Sequence, residues 1–173
     1  MKKFIFFICL ILQACSNEEN TRIDELYYNK VDGLFYKINE NKPFSGTAFK
    51  TINDNKKITI WNYKNGKNDG VCKNFYENGN IKFYGEFKDG LPDGVIKEYN
   101  SNGFLILEEN FKSGILNGIK KEFYENGNIK TLETYKNDFL HGRRVTYYEN
   151  GKEKVVENYE NDKLIESAFK QNL

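Results

Sequence analysis

Histidine is almost missing from this 173-residue sequence; His141 stands alone. Cysteine is scarce as well: Cys9, Cys15 and Cys72 are spaced in no pattern that zinc uses. Prolines are limited to Pro43 and Pro92. Neither sign of charge dominates, since 26 basic side chains face 25 acidic ones, and a formal charge of +1 offers no electrostatic hold on nucleic acid. No apolar run approaches the roughly 20 residues that a membrane-spanning helix needs. Nucleophile elbows, phosphate loops and calcium loops are all lacking. An enzyme needs a convergent polar constellation, and none is legible here. No cofactor is expected.

Aromatic residues are abundant, with 14 Phe, 12 Tyr and one Trp. That much ring area argues against disorder, and aromatic segments punctuated by glycine favour β structure.

The chain opens MKKFIFFICLILQACSNEEN. Lys2 and Lys3 precede nine apolar residues, Phe4 to Leu12, which fits the core of a signal peptide better than a buried strand. Leu12-Gln13-Ala14-Cys15 then resembles the lipobox of bacterial lipoproteins, although Gln13 stands where a small residue is usual. That resemblance implies removal of residues 1–14 and a diacylglycerol thioether on Cys15, because a nucleophilic thiol must take the lipid. An ordinary secretory cut after Ala14 is the alternative. Processing leaves 24 basic against 25 acidic side chains and Cys72 as the free thiol, which excludes a disulfide framework. Residues 15–21 read as a short polar tether. Ser16 is not the aspartate that commonly retains lipoproteins at an inner membrane, so the lipobox resemblance favours an outer-membrane site.

Beyond the tether a 24-residue period governs the chain. Gly46, Gly70, Gly94, Gly118 and Gly142 keep it, as do Asn78-Gly79, Asn102-Gly103, Asn126-Gly127 and Asn150-Gly151. A third set runs Asn65-Gly66, Asp89-Gly90 and Ser113-Gly114, then continues without glycine as Asn137-Asp138 and Asn161-Asp162. The repeats fill residues 46–165, a degenerate unit occupies 22–45, and 166–173 form a tail that finishes an edge strand, a cap or a short turn. Each unit reads as a β-hairpin with a type I′ turn at Asn-Gly, and the second connection, such as Lys88–Gly94, reads as a wider turn containing the phased glycine. In residues 119–134 the expected pairs are Tyr124 with Ile129, Phe123 with Lys130, Glu122 with Thr131, Lys121 with Leu132 and Lys120 with Glu133. One hairpin cannot bury a core, so the units must stack into an elongated all-β array.

Two aromatic rows follow from the phase. Phe75, Phe123 and Tyr147 suit packing between units, whereas Tyr76, Tyr124 and Tyr148 suit a binding surface, with Lys82, Lys130 and Lys154 also in phase. Glu77, Glu125 and Glu149 repeat before Asn-Gly as turn-flanking carboxylates, since a catalytic pair is needed once. His141 replaces Asp69, Asp93 and Asn117 as a polar turn residue, and Cys72 is a small strand residue rather than a nucleophile.

The units resemble the MORN-repeat variant of bacterial proteins, many of which carry a YwqK-family antitoxin label. Gly118, Lys121, Phe123, Tyr124, Asn126, Gly127, Ile129, Lys130, Tyr135 and Lys136 carry that resemblance. It implies an elongated sheet of hairpins with protein or membrane contacts. A cytoplasmic antitoxin has no use for a lipoprotein signal. The functional expectation is therefore a non-enzymatic, lipid-anchored envelope protein binding a protein partner. A self-associating scaffold, an immunity-like protein against an exported toxin, and weak phospholipid binding are the alternatives.

Overall fold

A computed structural model describes residues 19–52 and 56–170. The expected signal segment 1–14 and the expected lipidation site Cys15 lie outside the described residues. The chain forms β1 (Glu19–Arg22), a single 3-10 turn (Ile23–Glu25), β2 (Leu26–Asn29) and β3 (Leu34–Lys37). The repeats follow as β4 (Gly46–Ile52), β5 (Lys56–Lys64), β6 (Lys67–Asn68), β7 (Gly70–Phe75), β8 (Ile81–Lys88) and β9 (Leu91–Tyr99). Next come β10 (Leu105–Lys112), β11 (Ile115–Leu116), β12 (Gly118–Phe123), β13 (Ile129–Lys136), β14 (Phe139–Tyr147), β15 (Glu153–Glu160) and β16 (Lys163–Phe169).

Among the described residues these make one 14-stranded sheet and a separate two-stranded sheet of β2 and β3. The large sheet is an antiparallel meander from β4 to β16, so sequence neighbours are spatial neighbours throughout. β1 joins its edge in parallel with β4. This revises the tether: the chain is already in the sheet at Glu19, and the Thr21 side chain is buried. Residues 22–45 likewise form no further unit of the large sheet. Their 3-10 turn and β2–β3 hairpin cap it, with Phe35 and Phe44 against Tyr63 at centroid distances of 5.1 and 5.7 Å. Phe44, Ala48 and Tyr63 form the buried cluster, with Ile23, Leu26 and Trp61 around it.

Both connections differ from the turn types expected of them. Asn65-Gly66, Asp89-Gly90, Ser113-Gly114, Asn137-Asp138 and Asn161-Asp162 all have positive φ at both residues, the signature of a type I′ turn. They close two-residue loops, as between Lys88 and Leu91. The tight turn is therefore here, and the expected wide turn is absent from these places. At the other end only the glycine of each Asn-Gly pair is left-handed, with φ of 96° at Gly79 and 85° at Gly127. Gly127 N–H donates to Tyr124 O and Tyr124 N–H to Asn128 O, both at 2.9 Å. That is a three-residue loop, a type I turn followed by a glycine bulge. The asparagine holds it: Asn126 Oδ1 accepts from Asn128 N–H at 2.9 Å, as Asn78 does from Asn80 at 3.0 Å. The bulge moves Phe123 opposite Ile129 instead of Lys130, while Glu122–Thr131, Lys121–Leu132 and Lys120–Glu133 pair as expected.

Gly46, Gly70, Gly94, Gly118 and Gly142 are strand residues, not turn residues. Each faces an aromatic ring across the ladder: Tyr63, Phe87, Phe111, Tyr135 and Tyr159 respectively. Beside them the ladder bulges. Glu86 opposes Asp93-Gly94-Val95, because Gly85 pairs with Ile96 and Phe87 with Pro92. Thr134 opposes His141-Gly142-Arg143 in the same way. The β-carbon-free residue admits the neighbouring strand's side chain: an added Cβ at Gly94 would lie 2.8 Å from Glu86 Cβ. Asn62 and Asn110, in phase with Glu86, use the same place to donate to Val71 O and Ile119 O at 2.7 and 2.6 Å. At the last strand the phased residue is Glu166. The wide bulge shrinks to a single residue there, since Asn158 pairs with Glu166 and Tyr159 with Leu164.

Both ends of the hairpins are stitched across units. On the type I′ side, main-chain N–H groups of Gly66, Gly90, Gly114, Asp138 and Asp162 donate to the carbonyls of Phe44, Asn68, Pro92, Leu116 and Leu140. Where aspartate replaces glycine it adds a bond that offsets the strained φ: Asp138 Oδ1 and Asp162 Oδ1 accept from Leu116 and Leu140 N–H at 2.8 Å.

Candidate functional site

Paired residues share a face, and so do residues two apart along a strand. Tyr84–Lys97, Lys97–Glu108, Glu108–Lys121, Lys121–Leu132, Leu132–Val145 and Val145–Val156 make one lateral row. Two residues nearer the Asn-Gly loops, on that same face, stand Lys82, Tyr99, Ile106, Phe123, Lys130, Tyr147 and Lys154. The expected packing row Phe75, Phe123 and Tyr147 thus gains Tyr99, which keeps the same 24-residue phase. All four rings are half-buried, while Lys82, Lys130 and Lys154 are exposed.

The second tyrosine row belongs to the same neighbourhood. Tyr76, Tyr124 and Tyr148 are half-buried. Tyr76 O–H donates to Tyr99 O and Tyr124 O–H to Tyr147 O, each at 2.8 Å, so each ring bridges from one hairpin to the next. Lys82 Nζ lies 5.7 Å from the Tyr76 ring centroid and Lys154 Nζ 5.5 Å from that of Tyr148. Tyr76 thus combines both features, a phenol that ties units together and an outward lysine over its ring, while Tyr124 keeps the tie and Tyr148 the lysine. The loops add a clamp: Asn78 and Asn80 both donate to Ser101 O, at 2.6 and 2.9 Å, and Asn126 and Asn128 to Glu149 O, at 2.9 and 2.7 Å. Replacing Tyr124 by Phe should lower stability by about 1 kcal/mol, the usual worth of one hydrogen bond. Equilibrium denaturation measures it, and an unchanged midpoint would show that the phenol ties nothing.

Charge ladders crosslink the strands below. On the opposite face Arg144 bridges Glu133 and Glu157, both at 3.0 Å, and on the face of the row Glu108 bridges Lys97 and Lys121 at 3.2 and 2.9 Å. The bond from Lys121, aided by Lys97, holds the Glu108 carboxyl below its ordinary range. A shallow depression opens on this face between Tyr84, Glu86, Val95, Lys97 and Tyr99. Its polar groups satisfy one another: Tyr84 O–H donates to Glu86 Oε1 at 2.8 Å, which with burial raises the phenol pKa.

The remaining residues singled out by sequence lie apart from this row. Cys72 is fully buried between Gly85 and its own strand neighbours, and burial pushes its thiol up to about 11, far from a nucleophilic thiolate. His141 lies within β14 beside the bulge rather than in a turn, half-buried, with Nδ1 enclosed and without a hydrogen-bond partner. Glu77, Glu125 and Glu149 are exposed in the loops.

Residues 68–89, 116–137 and 140–161 each match the family model described as the MORN repeat variant. Over these segments the chain is similar to MORN-repeat proteins. Each matched segment runs from the bulged strand, through the Asn-Gly loop, to the first residues of the next type I′ turn. Residues 90–115 fall between the matched segments. No curated protein matches the chain.

Proposed function

We propose that this MORN-like array is a non-enzymatic, protein-binding module, held in the bacterial envelope by lipid on Cys15. The observation that carries the binding reading is the row of outward lysines at Lys82, Lys130 and Lys154 on one continuous sheet, with Lys82 and Lys154 seated over the in-phase Tyr76 and Tyr148. Internal bonds hold the Tyr76 and Tyr124 rings, so that part of the row presents a preorganised surface with little side-chain entropy left to lose. Anchoring rests on Leu12-Gln13-Ala14-Cys15, and the near-neutral charge speaks against nucleic acid. The test is cross-linking and pulldown of the native lipoprotein from its own envelope, beside a K82E/K130E/K154E variant. An identified partner that is lost on charge reversal, with folding intact, supports the reading. A partner captured equally well by the variant removes this surface from it.

A second reading is a self-associating scaffold. β16 favours it, because all seven of its residues are exposed, including Ile165 and Phe169 at 60% and 82%. An edge strand with apolar side chains invites another strand. A strictly monomeric soluble form, residues 16–173, in size measurements rules against it.

A further inference from the structure

The unit that falls between the matched segments keeps Asn102-Gly103 but departs from its neighbours at four positions in and beside the loop. Asn100 stands where Tyr76, Tyr124 and Tyr148 stand, Ser101 replaces Glu77, Glu125 and Glu149, Phe104 replaces Asn80 and Asn128, and Ile106 replaces Lys82, Lys130 and Lys154. The fold there is nonetheless kept. Gly103 N–H donates to Asn100 O and Asn100 N–H to Phe104 O, both at 2.9 Å, and Asn100 Oδ1 accepts from Asn102 N–H at 3.0 Å.

What changes is the surface. Without a phenol at position 100 no ring crosses the start of β10, and Ile106 is 37% exposed. Phe104 is 49% exposed at the place from which Asn80 and Asn128 clamp the following loop. Tyr99 and Phe123 flank Ile106 on the same face, so the patch is apolar from one strand to the next. Its loop has lost the carboxylate that every neighbouring loop carries. Lys82 lies two strands to one side and Lys130 two strands to the other, about 10 Å each way at ordinary strand spacing. Both are exposed on the same face.

The geometry points to a docking site at Phe104 and Ile106 for an extended acidic peptide of a partner protein. The two ammonium groups are roughly 20 Å apart, the reach of about six extended residues. The segment that fits has two carboxylates about six residues apart, with an aromatic or branched aliphatic side chain midway to cover Ile106. A basic peptide meets two lysines and, at the central loop, Ser101 in place of a carboxylate, so it is disfavoured. This rests on the protein-binding reading and names the partner's chemistry.

The purified chain is used to select random twelve-residue peptides displayed on phage, in parallel with an F104N/I106K variant. That variant carries the residues the array already bears at Asn80, Asn128, Lys82 and Lys130, so its thermal midpoint should stay at or above the parent's. Enriched peptides should carry flanking Asp or Glu around an apolar residue. They should bind the parent at least tenfold tighter than F104N/I106K and also tighter than K82E/K130E. Enrichment of basic or uncharged peptides overturns the proposal, as does binding that both variants retain; either leaves a protein-binding array with its site elsewhere. A selection that enriches nothing overturns it as well, and if the envelope cross-linking also finds no partner, the protein-binding reading falls with it.

Discussion

Replacing Gly94 by Val should destabilise the chain by about 3 kcal/mol or more and lower its thermal midpoint by roughly 6 to 12 °C. Two costs combine. Gly94 has φ of +134°, a region closed to side-chain-bearing residues. Its missing β-carbon is also where Glu86 lies: an added Cβ would stand 2.1 Å from Glu86 Oε2 and 2.8 Å from Glu86 Cβ. The carboxylate can swing away, but the Glu86 Cβ is fixed to its strand, so the bulge itself must open. Gly127 gives the comparison. It too is left-handed, at φ of +85°, yet nothing lies within 4 Å of its added Cβ. Gly127→Val therefore bears the backbone cost alone, about 1 to 2 kcal/mol. Differential scanning calorimetry of both variants separates the terms. Equal losses would mean that Glu86 contributes nothing to the need for glycine. A G94V/E86G double variant should recover part of the difference.

That contrast also marks what could be read from the residues. The 24-residue period was legible because three independent glycine or asparagine signals shared it, and the meander followed since one hairpin cannot bury itself. The rungs Glu122–Thr131 and Lys120–Glu133 were legible because alternation fixes them below the loop. The turn types were not. Asn-Gly and Asp-Gly both permit positive φ at two residues, so the dipeptide alone cannot separate a two-residue loop from a three-residue loop with a glycine bulge. Asn126 decides it through its own side chain, which accepts from Asn128 N–H and keeps the asparagine out of the left-handed region. Gly94 and its counterparts looked like turn residues because glycine so often is. Their shared reason is the positive φ each takes at the bulge, to which the adjacent strand adds crowding by Glu86 at Gly94 and Asn110 at Gly118, while Asn62 and Thr134 lie beside Gly70 and Gly142 at ordinary contact distance. The spacing of 24 linking these four was present in the sequence, but their types differ, and only their shared place at the bulge unites them.

The candidate surface was half legible. Phase alone selected Tyr76, Tyr124, Tyr148 and the three lysines, and the tyrosine–lysine contacts at Lys82 and Lys154 join them in space. Phase could not show that the phenols of Tyr76 and Tyr124 are engaged by the next hairpin's carbonyl, so truncating either ring costs stability as well as surface. It also drew attention to the units that keep the pattern. Unit 94–117 keeps the phase through Gly94 and Asn102-Gly103, although its exceptions Asn100, Ser101, Phe104 and Ile106 are what make a surface unlike the others.

Phe44→Ala should have the other large effect, about 3 to 5 kcal/mol, as expected for emptying an aromatic site in a buried cluster. Phe44 is 4% exposed, packs on Tyr63, and ties two elements through its main chain: its N–H donates to Phe35 O at 2.9 Å and its carbonyl accepts from Gly66 N–H at 2.7 Å. Where that loss falls matters more than its size. In an array each unit contacts only its neighbours, so stability is close to a sum over units and junctions. The cap covers the β4–β5 end, whereas Val145, 1% exposed, is packed eight strands farther along the meander. Hydrogen exchange of the Phe44→Ala chain should thus show lost protection in β2 to β5 while β12 to β15 keep theirs; Val145→Ala should reverse the pattern. Uniform loss of protection in both variants would mean that the sheet opens as one cooperative body, with the charge ladders and tyrosine bridges coupling distant units more strongly than nearest-neighbour packing allows. Graded loss would place the Phe104–Ile106 site inside a central segment that stays formed when the cap frays, as a docking surface requires.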